Sequence, residues 1–123
     1  MKELLLVFFG GGLGSIARYL ITKAYAAWNP TFPFATLTSN FISCLVFGFI
    51  LTFGLDRMNM NPVFKLLFLT GFCGGLSTYS TFTFETVELF KNGNNTLAIS
   101  NILINLFLSI TALYAGIALA KLL

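Results

Sequence analysis

Gly71 to Glu85 read GFCGGLSTYSTFTFE, three glycines and six hydroxyl side chains set inside an apolar segment. The segment starts near Val63 and resumes through Val87, Leu89 and Phe90, which puts its centre at bilayer depth. Two adjacent glycines, Gly74 and Gly75, weaken a helix interior by roughly 1 kcal/mol each against Ala. Ser and Thr side chains compete for backbone groups. A membrane helix broken here frees N–H and C=O groups that only protein or a water-filled cavity can satisfy. Transport proteins build ion sites at helices interrupted in this way. A Gly/Ser face that merely packs against another helix is the other reading the stretch admits.

Composition agrees with a membrane setting. The chain is 57% hydrophobic and 9% charged, against about 25% charged in soluble domains, and its mean hydropathy is +0.88. Its 123 residues allow one domain. The net charge of +3 is spread over single bases, which fits interfacial anchoring and no nucleic-acid partner. Cys44 and Cys73 lie inside apolar segments and form no CxxC pair, so both are expected as free thiols. With no His and four acids there is little material for proton-transfer chemistry, and no enzyme is expected.

Working outward, four spans are expected: 4–26, 34–55, 63–91 broken at 74–81, and 96–122. Lys2 and the apolar run after it resemble a signal peptide, but Arg18, Lys23 and a glycine cluster interrupt the run, so a retained first helix is expected. In that helix Gly10 and Gly14 form a small-xxx-small pair that lets another helix approach closely. Arg18 lies one turn further along; snorkelling and a place in an aqueous mouth both suit it. Thr36, Asn40, Ser43 and Phe47 share one face of the second span. A lone amide such as Asn40 in hydrocarbon needs a partner across a helix interface. Asp56, Arg57, Asn59, Asn61 and Pro62 read as a loop, with Met58 and Met60 as interfacial filler. Asn92-Gly93-Asn94-Asn95 is a turn signal. Asn101, Asn105 and Ser109 form a polar stripe on the fourth span.

Lys2, Arg57, Lys65 and Lys121 fall on one side of the membrane and Lys23 and Lys91 on the other, a weak bias that permits insertion both ways. Polar side chains on every span exceed what one small bundle can satisfy while enclosing a pore. A homodimer joined through glycine-rich faces is the expected assembly.

GGGLGSIARY (Gly10 to Tyr19), TLTSNFISCLVFG (Thr36 to Gly48) and GFCGGLSTYSTFTFE together resemble the Fluc family, the CrcB-type bacterial fluoride channels. The resemblance covers the whole four-span layout. It implies an all-α membrane protein, an antiparallel dual-topology homodimer in the cell inner (plasma) membrane, with two pores that export fluoride passively. It places Asn40 in the fluoride path, with Tyr79 and Phe82 as ring edges facing the ion. Ser109 matches a small polar position beside the pore, and by their chemistry the Ser80, Thr81 and Ser109 hydroxyls can all donate to an anion. Arg18 and Glu85 match positions near the aqueous vestibule. The backbone carbonyls of Gly74 and Ser77, from both subunits, match the family's central sodium site. Tyr79 departs from the family, which usually has Phe there. Two rivals remain at this point. A small multidrug-type transporter would need an intramembrane Glu in the first helix, where only the terminal Glu3 is present. A non-transporting structural membrane subunit would use the glycines for packing alone.

Overall fold

The computed structural model describes residues 1–57 and 61–123, so the expectations for Met58, Asn59 and Met60 lie outside the described residues. Every regular element among the described residues is helical. In order these are α1 (Lys2–Ala26), α2 (Phe34–Arg57), α3 (Pro62–Phe64), a π-helical stretch (Lys65–Cys73), α4 (Gly74–Leu76), α5 (Tyr79–Lys91) and α6 (Asn95–Leu122). Lys2–Ala26, Phe34–Gly54 and Asn95–Leu122 are each long and apolar enough to cross a membrane. The interrupted segment 62–91 packs among them.

Backbone contact at glycine sets the packing. In α1 only Gly10 and Gly14 are buried. A Cβ on Gly10 would strike the Leu67 carbonyl oxygen, one on Gly14 the Phe72 carbonyl, and one on Gly75 the Gly11 carbonyl. The small-xxx-small pair thus has its partner in the broken segment of the same chain, so these glycines serve packing within one copy and not the dimer contact expected of glycine-rich faces. A second seam joins α2 and α6: a Cβ on Gly48 would meet the Leu113 carbonyl, and one on Gly116 the Leu45 carbonyl. Both pairs run parallel: Gly10 faces Leu67 and Gly71 while Gly14 faces Phe72 and Leu76, and Asn40 meets Asn105 while Gly48 meets Leu113. The broken segment runs against α2, because Thr36 bonds to Glu85, Asn40 to Thr78 and Ser43 to Cys73. Alternating direction is what successive crossings of one membrane require.

Boundaries differ from expectation at the start of α1, which is Lys2, and at three further places. The helix continues through Gly74 and Gly75 to Leu76, and the interruption narrows to Ser77 (ψ 155°) and Thr78 (φ −150°, ψ 119°). Glycine does not break the helix here; it remains helical because α1 needs the close approach at Gly75. Secondly, α2 continues through Asp56 and Arg57, which had been expected in a loop. Thirdly, α6 begins at Asn95. The turn at Asn92–Asn94 forms as expected. Gly93 takes φ 76°, and Asn94 N–H reaches the Leu89 carbonyl at 2.9 Å, closing a Schellman-type cap.

Gly14→Leu should lower the thermal unfolding midpoint in detergent, since overpacking a tight contact costs roughly 1–3 kcal/mol. Gly12 has nothing near its Cβ position, so Gly12→Ala should be neutral or gain up to about 1 kcal/mol. Equal midpoints for the two variants would show that α1 does not pack through this face.

Candidate functional site

The site begins with a backbone debt at Ser77–Thr78. Where the helix stops, Thr78 N–H no longer points at the Gly74 carbonyl. It donates instead to Asn40 Oδ1 at 2.8 Å. Asn40 Nδ2 donates to Asn105 Oδ1 at 3.0 Å, and approaches the Thr78 carbonyl only at 3.5 Å. That second bond is long for N–H···O, so one Asn40 proton is only weakly held by the Thr78 carbonyl. Thr78 also caps α5: its Oγ1 accepts from Thr81 N–H at 3.2 Å. Ser43 and Ser77 hydroxyls both donate to the Cys73 carbonyl, at 2.8 and 2.9 Å. One face of α2, with Thr36, Asn40 and Ser43 at helical spacing, therefore braces the break along its length.

Beside the break lies a cleft of about 430 Å³. Asn40, Ser77, Thr78, Tyr79, Phe82, Asn105 and Ser109 line it, with Cys44, Ile102 and Leu106 as its apolar wall. The Tyr79 and Phe82 rings sit 5.7 Å apart at 50°. Tyr79 is 80% exposed, so its ring and hydroxyl form an open edge of the cleft. Donors and ring edges converge here, with no carboxylate on the wall, which suits a small anion.

Asn40, Tyr79, Phe82 and Ser109 thus come together. Ser80 and Thr81 are exposed and lie outside the cleft wall. Arg18 is half-buried on α1, one turn beyond Gly14, and also outside it. Glu85 is half-buried too; its Oε1 accepts from the Thr36 hydroxyl at 2.8 Å, and its buried Oε2 has no partner among the described residues. Among the described residues no backbone N–H reaches the Gly74 or Ser77 carbonyl. The fully buried Asn101, the buried Asn105 and Thr86 join this site through hydrogen bonds. The four-residue spacing of Asn101, Asn105 and Ser109 carried that signal in sequence; nothing there indicated Thr86.

Residues 5–117 match the family model described as CrcB-like protein, Camphor Resistance (CrcB). The chain belongs to the CrcB family. Both glycine seams, the break and the cleft fall inside the matched range. The chain is 43% identical over 128 residues to the fluoride-specific ion channel FluC of Clostridium perfringens, covering 100% of this chain and 99% of that one. It is 41% identical over 106 residues to that of Escherichia coli K12, covering 86% and 84%. It is 38% identical over 124 residues to that of Dehalococcoides mccartyi, covering 100% and 95%. Three helices able to span, together with CrcB membership, make this a multi-pass membrane protein.

Asn40→Ala would strip Thr78 N–H of its acceptor inside the bundle. The expected loss is about 1–3 kcal/mol in a denaturant or thermal titration of detergent-solubilised protein. Wild-type stability would mean that the break is satisfied without Asn40.

Proposed function

We propose that this CrcB-family chain is a fluoride-selective channel that lets fluoride leave the cell passively across the inner (plasma) membrane. The observation that carries this reading is the cleft beside the break, where a weakly held Asn40 proton, hydroxyls and two aromatic rings converge without a carboxylate. The relatives' name, fluoride-specific ion channel, fits that donor set. The protein is a channel and not an enzyme.

Fluoride is small and strongly hydrated, so a pore must replace its water with donors. Asn40 Nδ2 and the Ser109 hydroxyl supply strong ones. The Tyr79 and Phe82 ring edges carry positive electrostatic potential and supply weaker contacts. Several moderate sites in series favour passage over trapping. Tyr79 keeps the edge that Phe would offer and adds a hydroxyl. Segment 62–91 supplies the third of four crossings, and a second copy in antiparallel orientation closes the open side of the cleft, giving two pores per homodimer. Ser80 and Thr81 donate where the copies meet. Arg18 draws anions toward the vestibule, and Glu85 stands near its mouth. The Gly74 and Ser77 carbonyls, left without backbone donors at the break, suit a hard cation that takes oxygen ligands. Two copies would present four such oxygens to one sodium ion, which would hold the subunits in register.

The test is efflux from liposomes holding the purified protein, read with fluoride and chloride electrodes. Rapid fluoride loss with little chloride loss is expected. Asn40→Asp should abolish fluoride efflux, since it puts negative acceptors where donors are needed. Phe82→Ile should reduce efflux severely, because the ring edge goes while bulk remains. No fluoride efflux from either wild type or Tyr79→Phe would overturn the reading.

A further inference from the structure

A one-way chain of hydrogen bonds runs from the break through α6 and back to α5. Thr78 N–H donates to Asn40 Oδ1 (2.8 Å), and Asn40 Nδ2 to Asn105 Oδ1 (3.0 Å). Asn105 Nδ2 then donates to Asn101 Oδ1 (3.2 Å), and Asn101 Nδ2 to Thr86 Oγ1 (2.9 Å). The Thr86 hydroxyl donates to the Phe82 carbonyl (2.8 Å). Backbone groups fix the polarity at both ends, since Thr78 N–H can only donate and the Phe82 carbonyl can only accept. Each amide between them therefore has one permitted orientation. Asn101 is fully buried and Asn105 nearly so, which keeps water from repairing a broken link.

We propose that Thr86 and Asn101 are positioning residues for the ion path: they set the orientation of the Asn40 amide from outside the cleft. The inference rests on the channel reading given above. Its physical basis is competition for one acceptor. Without the Thr86 oxygen, the Asn101 amide loses the acceptor it uses, and the side chain it is already bonded to, Asn105, carries the oxygen that holds Asn40 Nδ2. Asn101 turning toward it displaces Asn40, which then no longer holds one proton in the cleft and its oxygen on Thr78. Neither residue lines the cleft, so their effect on the ion passes through Asn40.

The experiment compares wild type with Thr86→Val, which keeps the shape and removes the hydroxyl, and Thr86→Ser, which restores it. Two readouts are taken on full-length protein: fluoride turnover per active channel with its fluoride-to-chloride ratio, and hydrogen exchange at Thr78 N–H. Thr86→Val should lower turnover and speed Thr78 exchange, each roughly tenfold, the effect of one lost buried bond. Thr86→Ser should bring both back to within about threefold, as the hydroxyl returns. Asn101→Ala breaks the same chain one link earlier and is scored identically, which covers the case of Thr86→Val failing to fold. A folded Thr86→Val protein that only lowers the number of active vesicles, with turnover, selectivity and Thr78 exchange at wild-type values, overturns the proposal. A wild-type protein that passes no fluoride defeats the channel reading instead, and Thr78 exchange then still decides whether Thr86 positions Asn40.

Discussion

The structure depends on a single backbone N–H. Thr78 cannot serve the helix it has just left, and in an apolar setting an unmet donor is expensive. Asn40 Oδ1 meets it at 2.8 Å. The rest of the polar interior follows from that bond. It turns the Asn40 amide, which fixes Asn105, and it frees the Gly74 carbonyl. It also holds α5 where Thr78 can cap it and where Phe82 and Tyr79 face the same cleft as Asn40. The interruption is thus a fixed piece of geometry, braced from α2 at three successive positions on one helical face.

Glycine does a different job. The two seams, α1 against the broken segment and α2 against α6, bring backbone onto backbone, so hardly any of the α1 surface is buried by side chains. Close approach leaves the remaining perimeter for lipid and leaves the interior so narrow that polar side chains meet directly. Glycine packing and the amide chain are therefore linked: helices held further apart would not place Asn40 Nδ2 within 3.0 Å of Asn105 Oδ1.

Much of this was legible in the sequence. Gly10 and Gly14 announced a close helix contact, and Thr36, Asn40 and Ser43 announced a shared face, because helical spacing is a local property. The break was legible as a region and mislocated in detail. Gly74 and Gly75 look like helix breakers by propensity, yet tertiary contact with Gly11 makes their lack of a side chain an advantage within the helix. Thr86 was not legible at all. A threonine on a membrane helix ordinarily bonds its own backbone four residues back, as this one does to Phe82; that it also receives Asn101 is settled only by the packing of α5 on α6.

The two parallel seams also bear on how the chain becomes a folded unit. Each joins helices that are separated in the chain by one running the other way. Neither seam can close while its second helix is still being made, so until then the early helices have only neighbour contacts such as Tyr25 against Phe34 and Thr38. Folding is then governed by long-range closure rather than by neighbour-to-neighbour zipping. The polar residues that end up paired with one another across α2, α5 and α6 spend that interval facing lipid or one another's approach.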